Sequence, residues 1–275
     1  MSENNGRVGV TFDLWETLIF DKPELDEARG RMRCEGLRDT LGTLGISLTI
    51  EDVKRGYDES ASVMQDVWDQ NKEISTFGQV HLILELAGVP VARIPTSQEA
   101  MQRLVKAYAD PILTMPPRLG GEVVGALENV RALGAKIGLI SNTGRAPGVT
   151  LRQMLQNYDV LKFFDATTFS NETGCRKPDP RIFKQTANAL GIGPSRVLHV
   201  GDNPDADFNG ARRAGMKAVL YEPELRGISE WGPNSLFALS RRHKHPSGNS
   251  IKSDLRIHTL RSLAPLVQRF AALEG

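Results

Sequence analysis

Val8-Gly9-Val10-Thr11-Phe12-Asp13-Leu14-Trp15-Glu16-Thr17-Leu18 is the stretch that decides the fold. Its first half is an apolar run with β-branched residues, which reads as a buried strand. The run ends in a single carboxylate, Asp13. In an open α/β sheet the carboxyl end of a buried parallel strand faces the crevice where ligands bind. A carboxylate there can attack an electrophilic phosphorus or carbon, after which water clears the covalent intermediate. The competing reading is a simple turn or cap residue. Three further segments separate the two.

Downstream of Leu18 the pattern changes. From about Glu24 to Asp110 the periodicity is helical throughout. Leu25, Ala28, Met32, Leu37, Leu41 and Leu44 can share one face, with Gly45 as a stop. Thr49 caps a second helix running through Val53, Tyr57, Val63, Met64 and Val67 to about Asn71. Ser75 or Thr76 caps a third with Val80, Leu82, Ile83, Leu84 and Leu86. Thr96 or Ser97 caps a fourth through Met101, Leu104, Val105 and Tyr108. A helical bundle placed directly after Asp13 can close over the site and exclude water.

Met115-Pro116-Pro117 punctuates the chain, and beyond it helix and strand alternate, which implies a parallel sheet. Helices are expected over Gly121–Leu133 (Val124, Leu127 and Val130 sharing a face), Val149–Asn157, Pro180–Leu190, Asp207–Ala214 and Leu263–Leu273. Strands are expected over Ala135–Ile140, Asp165–Ser170, Arg196–Gly201 and Lys217–Tyr221, with an edge strand at Leu255–Ile257. The connection 222–254 holds Trp231-Gly232-Pro233 and the basic run Arg241-Arg242-His243-Lys244-His245-Pro246, which could bind an anion or partner but reads first as a solvated surface loop.

Composition narrows the function classes. The chain has 275 residues, 40% of them apolar and 24% charged, enough to bury a sizeable core. A net charge of +1 gives no pull toward nucleic acid or an anionic membrane. No apolar run reaches a membrane span, and Met1-Ser2-Glu3-Asn4-Asn5-Gly6-Arg7 lacks a signal-peptide core. Cys34 and Cys175 make no metal-ligand spacing and suit a reducing compartment. The expectation is a cytoplasmic protein acting on a small molecule, with no nucleic-acid or membrane partner.

Four groups then fall at strand carboxyl ends: Asp13, Ser141, Lys177, and Asp202 with Asp207. Ser141 offers a hydroxyl and Asn142 a backbone N–H where an anionic oxygen is well received, although a plain helix cap would look the same. Lys177, in Gly174-Cys175-Arg176-Lys177-Pro178-Asp179-Pro180, can neutralise developing charge and restrain a nearby carboxylate. Gly201-Asp202-Asn203-Pro204-Asp205-Ala206-Asp207 crowds three carboxylates into one loop. Such crowding favours a cation, and Mg²⁺ takes one or two carboxylates plus substrate oxygens and water.

Together these segments resemble the haloacid dehalogenase-like hydrolase superfamily. Its four motifs occur in order: Phe12 to Leu18; Leu139-Ile140-Ser141-Asn142-Thr143; Arg176-Lys177-Pro178-Asp179-Pro180; and Val200-Gly201-Asp202 through Asp207, continued by Asn209-Gly210-Ala211 and Ala214-Gly215-Met216. The resemblance implies an α/β fold, a Rossmann-like parallel sheet flanked by helices, with an inserted all-helical cap. The core would be 1–20 and 112–275, the cap 21–111. It implies that Asp13 is the nucleophile, that Ser141 and Lys177 bind the transferring group, and that Thr17 steadies the loop. It also implies Mg²⁺ held by Asp13, Asp202 and the Trp15 backbone carbonyl, with Asp207 supporting it directly or through water.

Trp15 is the informative departure. Phosphatases of the superfamily usually carry a second aspartate there, which protonates the leaving oxygen and then activates water. Indole cannot exchange protons in this way, and acid–base help typically contributes ~10²–10⁴-fold. Glu16, where the family often has Gly, is the neighbouring carboxylate that could substitute, but its place in the turn gives no assurance that it points inward. Dehalogenases carry an aromatic residue at the Trp15 position, since a halide leaves without a proton. They also lack the first acid of the fourth motif, which this chain keeps as Asp202, and place a tyrosine where this chain has Phe183. Their halide-binding arginine has no assignable counterpart among Arg29, Arg31, Arg33 and Arg38. The expected function is therefore a Mg²⁺-dependent phosphatase of a small metabolite working through an aspartyl-phosphate at Asp13. The alternatives are 2-haloacid dehalogenation and a binding or regulatory protein with weakened chemistry.

Overall fold

The computed structural model describes residues 7–223, 235 and 256–274. The basic run and Trp231-Gly232-Pro233 lie outside them, as do residues 1–6. Six strands form one parallel sheet: β1 Gly9–Phe12, β4 Lys136–Ser141, β5 Ala166–Phe169, β6 Val197–Gly201, β7 Lys217–Tyr221 and β8 Arg256–Ile257. Their spatial order is β5-β4-β1-β6-β7-β8. β1 pairs with β4 on one side and β6 on the other, Phe12 lying opposite both Leu139 and Val200. The chain reverses its direction of growth around β1. That switch point is where a parallel sheet opens a crevice.

Alternation along the strands sorts side chains onto two faces. Val10, Phe12, Ile137, Leu139, Leu198 and Val200 point into one core, fully or almost fully buried. That core is covered by α6 Val123–Ala132, α7 Gly148–Asn157 and a C-terminal helix, Leu263–Glu274. The opposite face packs Ile140, Val197 and Leu220 against Ile182, Phe183, Ala187 and Leu190 of α9 Pro180–Leu190. Asp179 accepts a hydrogen bond from the Arg181 N–H and starts α9, and Gly191 ends it at φ 69°. Truncating Phe12 to Ala in this setting costs about 3–5 kcal/mol.

Between β1 and β4 come α1 Pro23–Thr43, α2 Ile50–Asp69, α3 Thr76–Leu86, α4 Gln98–Ala109 and the short α5 Pro111–Thr114. Thr49, Ser75 and Ser97 are the side chains that cap α2, α3 and α4. These helices share a separate core of Leu37, Leu41, Val53, Ile83, Leu84 and Leu104. Two short strands, β2 Ile19–Phe20 and β3 Arg118–Leu119, pair antiparallel at the base of the insert. They were not expected, because two residues carry no periodicity to read.

Three expectations need correction. The apolar face read along α1 holds only in its second half: Arg29 and Arg33 are buried at 2% and 3% exposure, whereas Leu25, Ala28 and Met32 are half-buried. Val124 and Val63 point outward, and Val123 and Ala126 complete the inner face of α6 instead. The helix expected over Asp207–Ala214 is a π-helical turn, Pro204–Asn209, followed by the short α10 Gly210–Arg213. Asn203 starts that turn by accepting from the Asp205 and Ala206 N–H groups, so the chain winds before Asp207 is reached.

Candidate active site

The Asp13 amide still pairs with Val200 O at 2.9 Å, extending β1 by one residue and aiming the carboxylate out of the sheet end. The chain then folds back: the Leu18 and Ile19 amides both donate to Leu14 O. Thr17 is thereby carried over Asp13, and its hydroxyl donates to Asp13 Oδ2 at 3.1 Å. The turn needs a left-handed residue, and Glu16 supplies it at φ 60°, a conformation that costs a non-glycine residue.

Lys177 arrives from the loop before α9. Its Nζ donates to Asp13 Oδ1 at 2.5 Å, to Asp207 Oδ1 at 2.6 Å and to Ile140 O at 2.9 Å. An ammonium has three donors, and all three are used. Asn142 fixes the lysine's backbone, donating to Lys177 O at 3.0 Å and accepting from Lys177 N at 2.8 Å. This clamp is what the Asn142 side chain does. Ser141, at the end of β4, is fully buried and donates to Asn142 O at 3.2 Å.

Asp207 is the most constrained carboxylate. Besides Lys177 it accepts from Asn203 N at 2.9 Å and lies 3.2 Å from His199 Nε2. A carboxylate only accepts, so Nε2 carries the proton and Nδ1 accepts from the Thr11 hydroxyl at 2.9 Å. Phe183 packs edge-on against the imidazole at 5.1 Å. Gly201 makes room for the arrangement: a Cβ there would stand 2.4 Å from Asp207 Cγ. Asp205, read as a third acid of this loop, turns outward to Arg213 at 3.4 Å. Asp13 takes its place in the acidic cluster.

Burial pushes the Asp13 carboxyl up to about 6 against the pull of Lys177, with Asp207 adding to the rise. Burial would also raise Asp207, but Lys177 and His199 outweigh it and hold that carboxyl well below the usual range. The Lys177 ammonium is held charged by the two acids despite its own desolvation. Burial keeps His199 neutral, lowering its pKa against the opposing effect of Asp207.

Asp13, Asp202 and Asp207 offer carboxylate oxygens within 4.8 Å of one another. Three carboxylates against one ammonium leave two negative charges, and the donors are all hard oxygens. That set fits a hard divalent cation.

Above this floor lies a cavity of about 770 Å³, bounded by Trp15, Arg145 and Arg176 and, from the insert, by Arg29, Arg33, Tyr57 and Trp68. Polar contacts hold the insert to the sheet, one of them from Gln79 of α3 to Gly144 O at 3.1 Å. Glu73, between α2 and α3, accepts from Arg176 at 2.6 Å, from Trp68 Nε1 at 2.9 Å and from the Ser170 hydroxyl. Arg145, from the loop after β4, reaches Ser60, Tyr57 O and Tyr108, with Cζ 3.7 Å from the Tyr57 ring centroid.

The structure thus brings Asp13, Thr17, Lys177, Asp202 and Asp207 together, with Asn142 and Trp15 on the cavity wall and Ser141 behind it. Sequence reasoning missed His199, Glu73 and Arg145, named Arg29 and Arg33 only among cap arginines it left unassigned, and gave Arg176 no role. His199 had a readable signal. Thr11 and His199 each interrupt a buried apolar strand, and the two strands place them side by side.

Residues 9–215 match the haloacid dehalogenase-like hydrolases. Haloacid dehalogenase-like hydrolase domain-containing protein 3 of Mus musculus is 27% identical over 253 residues, spanning 86% of this chain and 92% of that protein. A glyceraldehyde 3-phosphate phosphatase of Methanopyrus kandleri is 35% identical over 100 residues, 36% of this chain and 41% of that one. Among solved structures, a 2-haloacid dehalogenase from Pseudomonas syringae superposes with a TM-score of 0.62 at 22% identity, covering 96% and 99% of the two chains. At that identity the likeness establishes a common fold. No helix among the described residues is long and apolar enough to cross a membrane.

Proposed function

The chain belongs to the haloacid dehalogenase-like hydrolase family, and from that premise we propose that it is a Mg²⁺-dependent phosphatase of a small phosphorylated metabolite. The observation that carries the reading is the Asp13 carboxylate, held by Thr17 and Lys177 on a cavity floor beside Asp202 and Asp207. Residues 21–111 act as a cap over a core of 1–20 and 112–275.

An Asp13 oxygen attacks phosphorus, and the bond from phosphorus to the metabolite oxygen breaks, its electron pair leaving with that oxygen. Water then attacks the phosphorus of the aspartyl-phosphate, releasing inorganic phosphate and restoring the carboxylate. Lys177 offsets charge on the transferring group, and Thr17 keeps Asp13 in place. The Asn142 N–H receives a phosphoryl oxygen. Ser141, buried behind the cavity wall, supports that loop through its bond to Asn142 O and would have to turn its hydroxyl to reach the group. Asp13, Asp202, Asp207 and the Trp15 carbonyl would hold Mg²⁺, which supplies positive charge to the transferring phosphoryl group. Trp15 provides no proton, so acyl and aryl phosphates, whose oxygens leave readily, are the preferred substrates.

Hydrolysis of p-nitrophenyl phosphate tests this. Activity should vanish in EDTA, return with Mg²⁺, and fall on the order of 10³-fold or more in Asp13→Asn. Silence across a phosphate panel with Mg²⁺ present would sink the reading. Halide release from a 2-haloacid that EDTA leaves untouched would move the chemistry to carbon.

A further inference from the structure

Five lysine or arginine side chains are buried among the described residues: Arg29, Arg33, Arg145, Arg176 and Lys177. All five line the same cavity. Three have carboxylate partners. Arg29 meets Asp21 and Asp26, Arg176 meets Glu73, and Lys177 meets Asp13 and Asp207. Arg33 and Arg145, 3% and 8% exposed, have none within 4.0 Å among the described residues.

Their hydrogen bonds go to neutral oxygens. Arg33 donates to Tyr108 O at 3.1 Å and to the Tyr57 hydroxyl at 3.3 Å. Arg145 donates to the Ser60 hydroxyl at 3.3 Å, the Tyr108 hydroxyl at 3.1 Å and Tyr57 O at 3.1 Å. The two guanidiniums therefore flank the same pair of tyrosines, from opposite sides of the seam between insert and sheet. The nearby acids are engaged elsewhere. Asp26 lies against Arg29 at 3.6 Å and accepts from Ser235, and Asp58 is paired with Lys54 at 2.8 Å. Two like charges share a buried wall with dipoles and, among the described residues, no carboxylate within 4.0 Å. The more distant Asp26 is the acid that Arg145 feels, and that leaves the wall short of negative charge. Arginine is also the residue suited to planar recognition of carboxylate and phosphate oxygens.

We propose that Arg33 and Arg145 form a second anion subsite, so that the substrate is a phosphate monoester carrying a further anionic group at the end remote from the transferred phosphoryl. The inference rests on the phosphatase reading for the identity of the first group. The Arg33–Arg145 wall selects the tail while Asp13 and Lys177 handle the transfer. Both groups of residues line one cavity of about 770 Å³, so the subsite and the floor open on the same space.

The test is calorimetric titration of Asp13→Asn protein, with Mg²⁺ present, by three matched ligands: propyl phosphate, 3-phosphooxypropionate and 1,3-propanediol bisphosphate. At least one of the two anionic-tailed ligands should bind tenfold or more tightly than propyl phosphate. Which of them wins tells carboxylate from phosphate. Adding Arg33→Gln should bring that preference below threefold, and Arg33→Lys, which keeps the charge, should retain most of it. Using the ratio of two ligands on one protein cancels any general loss of folded sample, and Arg145→Gln repeats the test independently. Equal binding of all three ligands overturns the proposal, as does a preference that survives both Gln variants. If the unmutated enzyme hydrolyses no ester while the binding ratio behaves as stated, the subsite stands and the phosphatase reading falls.

Discussion

On the floor of the cavity, Lys177 lies between Asp13 and Asp207, and each proton of its ammonium has an acceptor. On the roof side, Arg33 and Arg145 are as deeply buried and reach only tyrosine, serine and carbonyl oxygens. The floor has acids in excess, and the walls above it carry two buried guanidiniums, Arg33 and Arg145, with no carboxylate within 4.0 Å among the described residues. The floor calls for a cation and the walls for an anion. On the proposed reading, that division separates the transfer chemistry, assigned to the sheet, from the choice of substrate, assigned to the insert together with one loop of the sheet. Folds of this kind host many chemistries because the two can vary independently.

The largest effect should come from removing the floor's only lysine. Lys177→Met leaves two buried carboxylates facing one another. Breaking a buried pair by deleting one partner costs about 3–5 kcal/mol. Urea unfolding in EDTA should show a loss of that order, and added Mg²⁺ should recover part of it, since lysine and metal offset the same acids. A loss under about 1 kcal/mol would mean that the floor is wetter than its burial suggests, and the contrast with the walls would weaken.

Next is the acid that the insert lends to the sheet. Glu73→Gln keeps an acceptor for Trp68 and Ile74 but leaves the Arg176 guanidinium unneutralised. A hydrogen bond to a charged group contributes ~1.5–3 kcal/mol, so a destabilisation of about 2 kcal/mol is expected by the same unfolding assay. Hydrogen exchange should quicken first around residues 73–79, where the insert meets the sheet. An unchanged exchange pattern would show that the Arg145 and Gln79 contacts hold the two together without Glu73.

The same floor and roof differ in how far the sequence discloses them. The floor was legible because parallel strands end in one crevice. Asp13, Ser141 and Asp202 each follow an apolar run, so the pattern that predicts a strand also places its last residue. Lys177 needed the family resemblance, since nothing local separates it from a surface lysine before a proline. The roof was not legible, because binary patterning assigns charges to solvent. Arg29 and Arg33 stand at the i, i+4 spacing of Leu37 and Leu41, within the face read as apolar, and only their charge set them apart from it; the cavity beneath α1 is what admits them there. Glu73 lies between two helices and finds its partner 103 residues away, a distance over which no periodicity carries information. Asp205 misled for the reverse reason: sequence crowding suggested a shared site, but the π-helical turn points it at Arg213.

The smallest effect belongs to the seam where floor meets roof, at Glu16. Its backbone is left-handed at φ 60°, its amide donates to Ile19 O at 2.8 Å, and it lines the cavity. Glu16→Gly removes a strain of about 1–2 kcal/mol from the folded state. It also gives back about 0.4–1 kcal/mol through the freer unfolded chain. The net should be a gain of about 0–1.6 kcal/mol, a rise in Tm of at most roughly 5 °C. The same variant asks whether this carboxylate replaces the proton donor that Trp15 lacks. An aryl phosphate leaves without a proton and an alkyl phosphate does not, so the two substrates separate strain from chemistry. Both rates should hold within about twofold of the parent. A fall on the order of 10²-fold confined to the alkyl ester would make Glu16 the missing acid, and the leaving-group preference argued from Trp15 would have to be given up.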